Sequence, residues 1–114
     1  IDGVVGLAPI TDLVSYGAES GSCQSMVAPF MGDETYSPDD SYRDASVTLH
    51  AINVPVSVVI GKKDPIVGAN QVAAFDSGQI ITVKGAGHFD VIHPKTEAFS
   101  AVANALEAIK EKGH

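Results

Sequence analysis

Three short apolar runs mark the chain at residues 3–8 (GVVGLA), 54–60 (VPVSVVI) and 79–83 (QIITV), each of strand length. The middle run is nearly continuous in β-branched residues instead of alternating with polar ones. That is the pattern of a strand covered by helices on both faces of a parallel sheet. Helices are then expected between and after the strands. Residues 67–75 predict a short crossover helix, with Val72 and Phe75 three apart, and Asp76-Ser77-Gly78 supplies turn chemistry behind it. Residues 96–112 carry the clearest helical period: Phe99, Val102, Leu106 and Ile109 recur at three, four and three, with Glu97, Asn104, Glu107 and Lys110 on the opposite side. Pro94 suits its first turn, Lys110 and Lys112 complement the negative end of the helix dipole, and Gly113 can end it. Residues 9–53 read as loop and short helices, with Met26, Val27, Phe30 and Met31 as one apolar stripe of core type and a second short helix around 42–52. The prediction is an α/β fold, a parallel three-stranded sheet flanked by helices, in a single domain over residues 1–114.

Composition narrows what such a chain does. At 114 residues it can bury roughly two-thirds of its unfolded surface, and 45% apolar with 18% charged residues is ordinary for a folded protein. Fourteen acidic side chains against 7 basic ones give a net charge of −7, which repels phosphate backbones and anionic lipid headgroups. Nucleic acid and membrane surfaces are therefore not expected partners. No apolar run approaches the roughly 18 residues of a spanning helix, so a soluble chain, cytoplasmic by default, is expected. Cys23 is the single cysteine, which rules out an internal disulfide and a thiolate zinc cluster. The acidic residues Asp33, Glu34, Asp39, Asp40 and Asp44 lack the spacing and glycine of a calcium loop and read as a solvated face. No metal and no cofactor is expected. The chain also starts within its first strand, at Ile1-Asp2-Gly3-Val4-Val5 and without a methionine, which predicts further sequence upstream.

Candidate chemistry sits at the strand ends. The second strand runs into Gly61-Lys62-Lys63-Asp64-Pro65-Ile66-Val67 and the third into Lys84-Gly85-Ala86-Gly87-His88-Phe89-Asp90. In open α/β sheets, sites form beyond the carboxyl ends of the strands, and adjacent parallel strands would bring Asp64 and His88 together there. A buried carboxylate accepting the imidazole N–H fixes its tautomer and stabilises the imidazolium formed when the other nitrogen takes a hydroxyl proton. His93, just before Pro94, reads as a loop or helix-start residue, and His50 and His114 have no supporting context. Cys23 lies in Gly21-Ser22-Cys23-Gln24, without a strand-to-helix elbow to activate it as a nucleophile.

The segment G-K-K-D-P-I-V, with its aspartate 24 positions ahead of the histidine of G-A-G-H-F-D, resembles the acid loop and histidine loop of α/β hydrolases. Pro9-Ile10-Thr11-Asp12-Leu13 and Tyr42-Arg43-Asp44-Ala45-Ser46 further resemble the carboxylesterase, dienelactone hydrolase and prolyl-oligopeptidase-like branch. The resemblance covers essentially the whole chain and implies the C-terminal part of that fold. It further implies hydrolysis of carboxylic esters through an acyl-serine intermediate, with Asp64 and His88 as triad acid and base. In those esterases the region after this first strand helps line the substrate pocket, which implies the same for Met26, Phe30 and Met31. One departure limits activity. The family's G-x-S-x-G elbow is missing from the 114 residues, where Ser20, the nearest match, has Ala18 and Ser22 in place of the glycines. The oxyanion-hole segment, upstream of the nucleophile in the family, is missing with it. Two functions stay open. One is a fragment or subunit of a serine esterase, completed by an N-terminal hydrolase segment and acting on a small-molecule ester. The other is a non-catalytic truncated module that binds a ligand or self-associates through the edge of its first strand.

Overall fold

The computed structural model describes residues 1–47, 52–73 and 78–112. These form two compact units, Ile1–Pro9 with Ile52–His114, and Ile10–Ala51.

The first unit holds the sheet. β1 (Val4–Leu7), β2 (Val56–Gly61) and β3 (Gln79–Val83) are all parallel, in the order β1-β2-β3, with Val5 opposite Ser57 and Val59 opposite Ile81. The β-branched run thus forms the central strand, and every residue of β2 is buried. Its side chains alternate between two apolar clusters, as the two-residue period of a strand requires. Val56, Val58 and Ile60 pack with Val72 on one face, while Val59 joins Val83, Ala86, Val91, Ala98 and Val102 on the other. Ala8 follows β1 with a φ of 45°, a left-handed conformation that turns the chain out of the sheet.

The helix α5 (Glu97–Lys112) is the one its period predicts, but its start and buried face both differ from the sequence reading. Thr96, not Pro94, prepares the first turn: its Oγ1 accepts the Phe99 N–H at 3.2 Å, the geometry of a helix N-cap. Ala98, Val102 and Ala105 are buried, whereas Leu106 is 55% exposed and Phe99 only half-buried. Small alanines let the helix lie close to the sheet, so the buried stripe is rotated from the one drawn through the larger side chains.

Between β2 and β3 lies α4 (Asn70–Ala73), starting three residues later than the predicted 67. Residues 66 and 67 give their N–H groups to the Asp64 carboxylate instead of a helical turn. Phe75, the turn at Asp76 and Ser77, part of the helix expected around 42–52, His50, Gly113 and His114 lie outside the described residues.

Val59 sits in the cluster at 0% exposure. Val59→Ala is expected to cost about 2–3 kcal/mol, from two buried methyl groups and the cavity they leave. Urea denaturation would measure this as a lower midpoint at unchanged slope, and a loss under about 0.5 kcal/mol would contradict the packing.

The second unit consists of short helices α1 (Leu13–Ala18), α2 (Val27–Phe30) and α3 (Asp40–Asp44), with a 3-10 turn at Gln24–Met26. Asp12 caps α1 by accepting from Val14 N–H at 3.0 Å and Ser15 N–H at 3.2 Å. The buried Ser46 hydroxyl accepts from Leu13 N–H at 2.9 Å and donates to Tyr42 O at 2.8 Å, tying the segment after α3 to the start of α1. Tyr42 is buried, and its hydroxyl donates to Asp33 at 2.8 Å. Burial, and then that carboxylate, push the phenol pKa up. Glu34, Asp39, Asp40 and Asp44 are exposed.

Candidate active site

The site is built from two loops that leave neighbouring strands at the same edge of the sheet. After β2 the chain turns through Gly61-Lys62-Lys63-Asp64, with Asp64 N–H donating to Gly61 O at 3.2 Å. The Asp64 side chain is 1% exposed. Its Oδ1 accepts from Ile66 N–H at 2.8 Å and Val67 N–H at 2.9 Å, and its Oδ2 lies 2.7 Å from His88 Nδ1. Pro65 suits this arrangement, because it fixes the turn and has no N–H to compete for the carboxylate.

After β3 the chain passes Gly85, Ala86 and Gly87 and enters a 3-10 turn at His88–Ile92. His88 is its first residue. Because an ionised carboxylate only accepts, Nδ1 is the protonated nitrogen of the ring, and the neutral imidazole then presents a lone pair at Nε2. Nε2 makes no hydrogen bond among the described residues. The ring is 23% exposed, against 1% for its partner. Phe89 meets it edge to face, with centroids 5.0 Å apart at 82°. A buried acid orienting a partly open base is the arrangement that general-base catalysis needs: the carboxylate holds one nitrogen so that the other can take and return a proton.

The two loops are joined by backbone. Lys62 N–H donates to Val83 O at 2.9 Å and Lys63 N–H to Ala86 O at 3.0 Å. Gly61 makes this approach possible. A Cβ there would stand 2.2 Å from Ala86 O and 2.7 Å from its carbonyl carbon, distances that no side chain tolerates. Gly61 is a supporting residue that sequence reasoning missed, although a glycine closing a β-branched run is itself a sign of close backbone approach.

Met26, Phe30 and Met31 belong to the second unit. Met26 and Phe30, with Ile10, Leu13, Cys23 and Val27, line a cavity of about 380 Å³, and half-buried Met31 stands outside that lining. Met26 is 59% and Phe30 76% exposed, so they are not core, and Val27 is the buried member of the stripe. Cys23 is exposed. His93 is an exposed loop residue whose Nδ1 accepts from Lys95 N–H at 3.2 Å, in line with its sequence reading. Among the described residues, no three His, Cys, Asp or Glu side chains gather as a metal ion would require, and no helix is long and apolar enough to cross a membrane.

Neither a protein-family model nor a curated protein sequence matches the chain. Among solved structures it is similar to a crystal structure of a protein from Agrobacterium vitis S4 that is provisionally named a hydrolase, with a TM-score of 0.58 and 20% identity. The match covers 94% of this chain and 49% of that one, so the chain spans about half the length of its neighbour. At this identity the likeness speaks for the fold alone, an α/β architecture with a parallel three-stranded sheet flanked by helices.

Proposed function

We propose that this chain is the acid- and base-bearing C-terminal part of a serine esterase of the α/β-hydrolase type, with Asp64 as the triad acid and His88 as the general base. The observation that carries the reading is the 2.7 Å contact between a buried carboxylate and a partly open imidazole at the ends of adjacent parallel strands. The nucleophilic serine and the oxyanion donors would come from sequence outside these 114 residues, which contain no G-x-S-x-G. In the complete enzyme, His88 Nε2 takes the proton of the serine hydroxyl as the oxygen attacks the ester carbonyl. It then returns that proton to the departing alcohol. A water molecule, activated by the same nitrogen, releases the acid from the acyl-serine. The apolar cavity that Met26 and Phe30 line within the second unit is proposed to bind an apolar group.

The sheet edge supports completion by a further strand. Among the described residues β1 has only β2 beside it, and Val4 and Leu7 are 43% and 39% exposed. An unpaired edge with apolar side chains invites strand addition. The same edge would serve the non-catalytic alternative, in which two copies pair through β1. That alternative predicts a concentration-dependent dimer whose behaviour ignores Asp64 and His88.

The test joins or co-expresses the chain with an upstream segment that carries a strand and a G-x-S-x-G elbow, and treats the assembly with a fluorophosphonate probe. Labelling of the serine that disappears in His88→Ala is the expected result. An assembled protein that resists the probe would sink the esterase reading.

A further inference from the structure

The loop that delivers His88 carries two glycines, each free of side-chain restraint on its own backbone. Gly85 and Gly87 flank Ala86, glycine loses more backbone freedom on folding than any other residue, and nothing stands within 4 Å of where a Gly85 Cβ would lie. Ala86 between them packs into the core cluster, and hydrogen bonds fix the peptides on either side of it. One is the bond from Lys63 N–H to Ala86 O. Another is to Asp90, whose Oδ2 accepts the Gly87 N–H at 2.8 Å, the half of a capping box in which the third residue of a turn reaches back to its cap.

Asp90 is itself anchored. Its backbone carbonyl lies 2.5 Å from Thr96 Oγ1 and accepts His93 N–H at 3.1 Å, and Thr96 caps α5, which is buried on the sheet through Ala98 and Val102. A continuous path therefore runs from the core helix through Thr96 and Asp90 to the peptide that precedes His88. We propose that Asp90 is a positioning residue, which sets the His88 ring for its bond to Asp64 by fixing the Gly87 peptide. This rests on the proposed role of His88 as base. Asp90 touches neither substrate nor reacting atoms in that role.

The experiment uses the full 114-residue chain, labelled with nitrogen-15 histidine, well below its unfolding transition, where a mere loss of stability leaves the readout unmoved. The unsubstituted chain is expected to show His88 protonated at Nδ1 with a slowly exchanging proton. Asp90→Ala is expected to mix the tautomers and speed exchange about tenfold, the factor set by one charge-assisted hydrogen bond. Asp90→Asn keeps an oxygen that can accept from Gly87 and is expected to restore the original signals. An Asp90→Ala chain with unchanged tautomer and exchange rate overturns the proposal, as does an unsubstituted chain without the Nδ1 proton. Should Asp90→Ala fail to fold, the Gly87 amide decides: slow exchange preserved in Asp90→Asn supports the bond, and exchange at open-loop rates overturns it. No serine is needed for this readout, so the esterase reading and the positioning role fail separately.

Discussion

Asp64→Asn is expected to lower turnover by about four orders of magnitude in an enzyme completed around this chain, the scale set by loss of the correct imidazole tautomer in a triad. The expected size follows from how the carboxylate is held. Its Oδ1 accepts two backbone N–H groups, from Ile66 and Val67, and only an oxygen can stay there. The amide nitrogen of the substituted side chain must then take the place of Oδ2, 2.7 Å from His88 Nδ1, where it donates. A neutral imidazole facing a donor puts its own proton on Nε2, and the nitrogen that should accept the serine proton is blocked. The substitution barely changes volume, so stability should move far less than rate. The flip is measurable without any nucleophile, because nitrogen-15 shifts of His88 in the 114-residue chain should exchange their Nδ1 and Nε2 character. An Asp64→Asn chain that keeps the original tautomer would mean that Asp64 does not control the base.

The parts of this arrangement that sequence revealed are those whose chemistry is local. The β-branched run of β2 announced a central strand because six consecutive buried residues, facing both sides of a sheet, need cover on both faces. Asp64 and His88 were legible because each follows a strand by a few residues, and parallel neighbours send their ends to one edge. What escaped notice depends on partners distant in sequence. The contact that makes Gly61 necessary is with Ala86, and the bond that makes Asp90 useful becomes meaningful only when Gly87 is seen as the cap of a turn. A glycine followed three residues later by an acid does carry the capping-box spacing, so that signal was present in Gly87-His88-Phe89-Asp90. The buried face of α5 was misjudged for a related reason. Hydrophobicity favours Leu106, but the space between helix and sheet is set by how closely they pack, and Ala98 and Ala105 fit where larger side chains do not. In the second unit, Thr11-Asp12 and the residues around Ser46 looked like family marks, and the structure gives Asp12 and Ser46 local work, as a cap and as a tie between helices.

Gly61→Ala is expected to produce the largest loss of stability among single-methyl changes in the sheet, about 3 kcal/mol or more, at or above the upper end of overpacking costs. The added carbon would begin 2.2 Å from Ala86 O, roughly 1 Å inside an ordinary contact, and the obstacle is backbone on a short loop, not the end of a flexible side chain. Relief requires the two loops to separate. Separation in turn breaks the bond from Lys63 N–H to Ala86 O, which contributes about 1 kcal/mol, and carries His88 away from Asp64. Stability and site geometry should therefore fail together, whereas Val59→Ala lowers stability and leaves the His88 tautomer alone. Urea denaturation and the His88 nitrogen-15 spectrum, recorded on both variants, separate the two kinds of loss. A Gly61→Ala chain within about 0.5 kcal/mol of the original, with its Nδ1 proton still in slow exchange, would show that the loops tolerate a side chain between them. The close backbone approach would then not be what holds the acid and the base together.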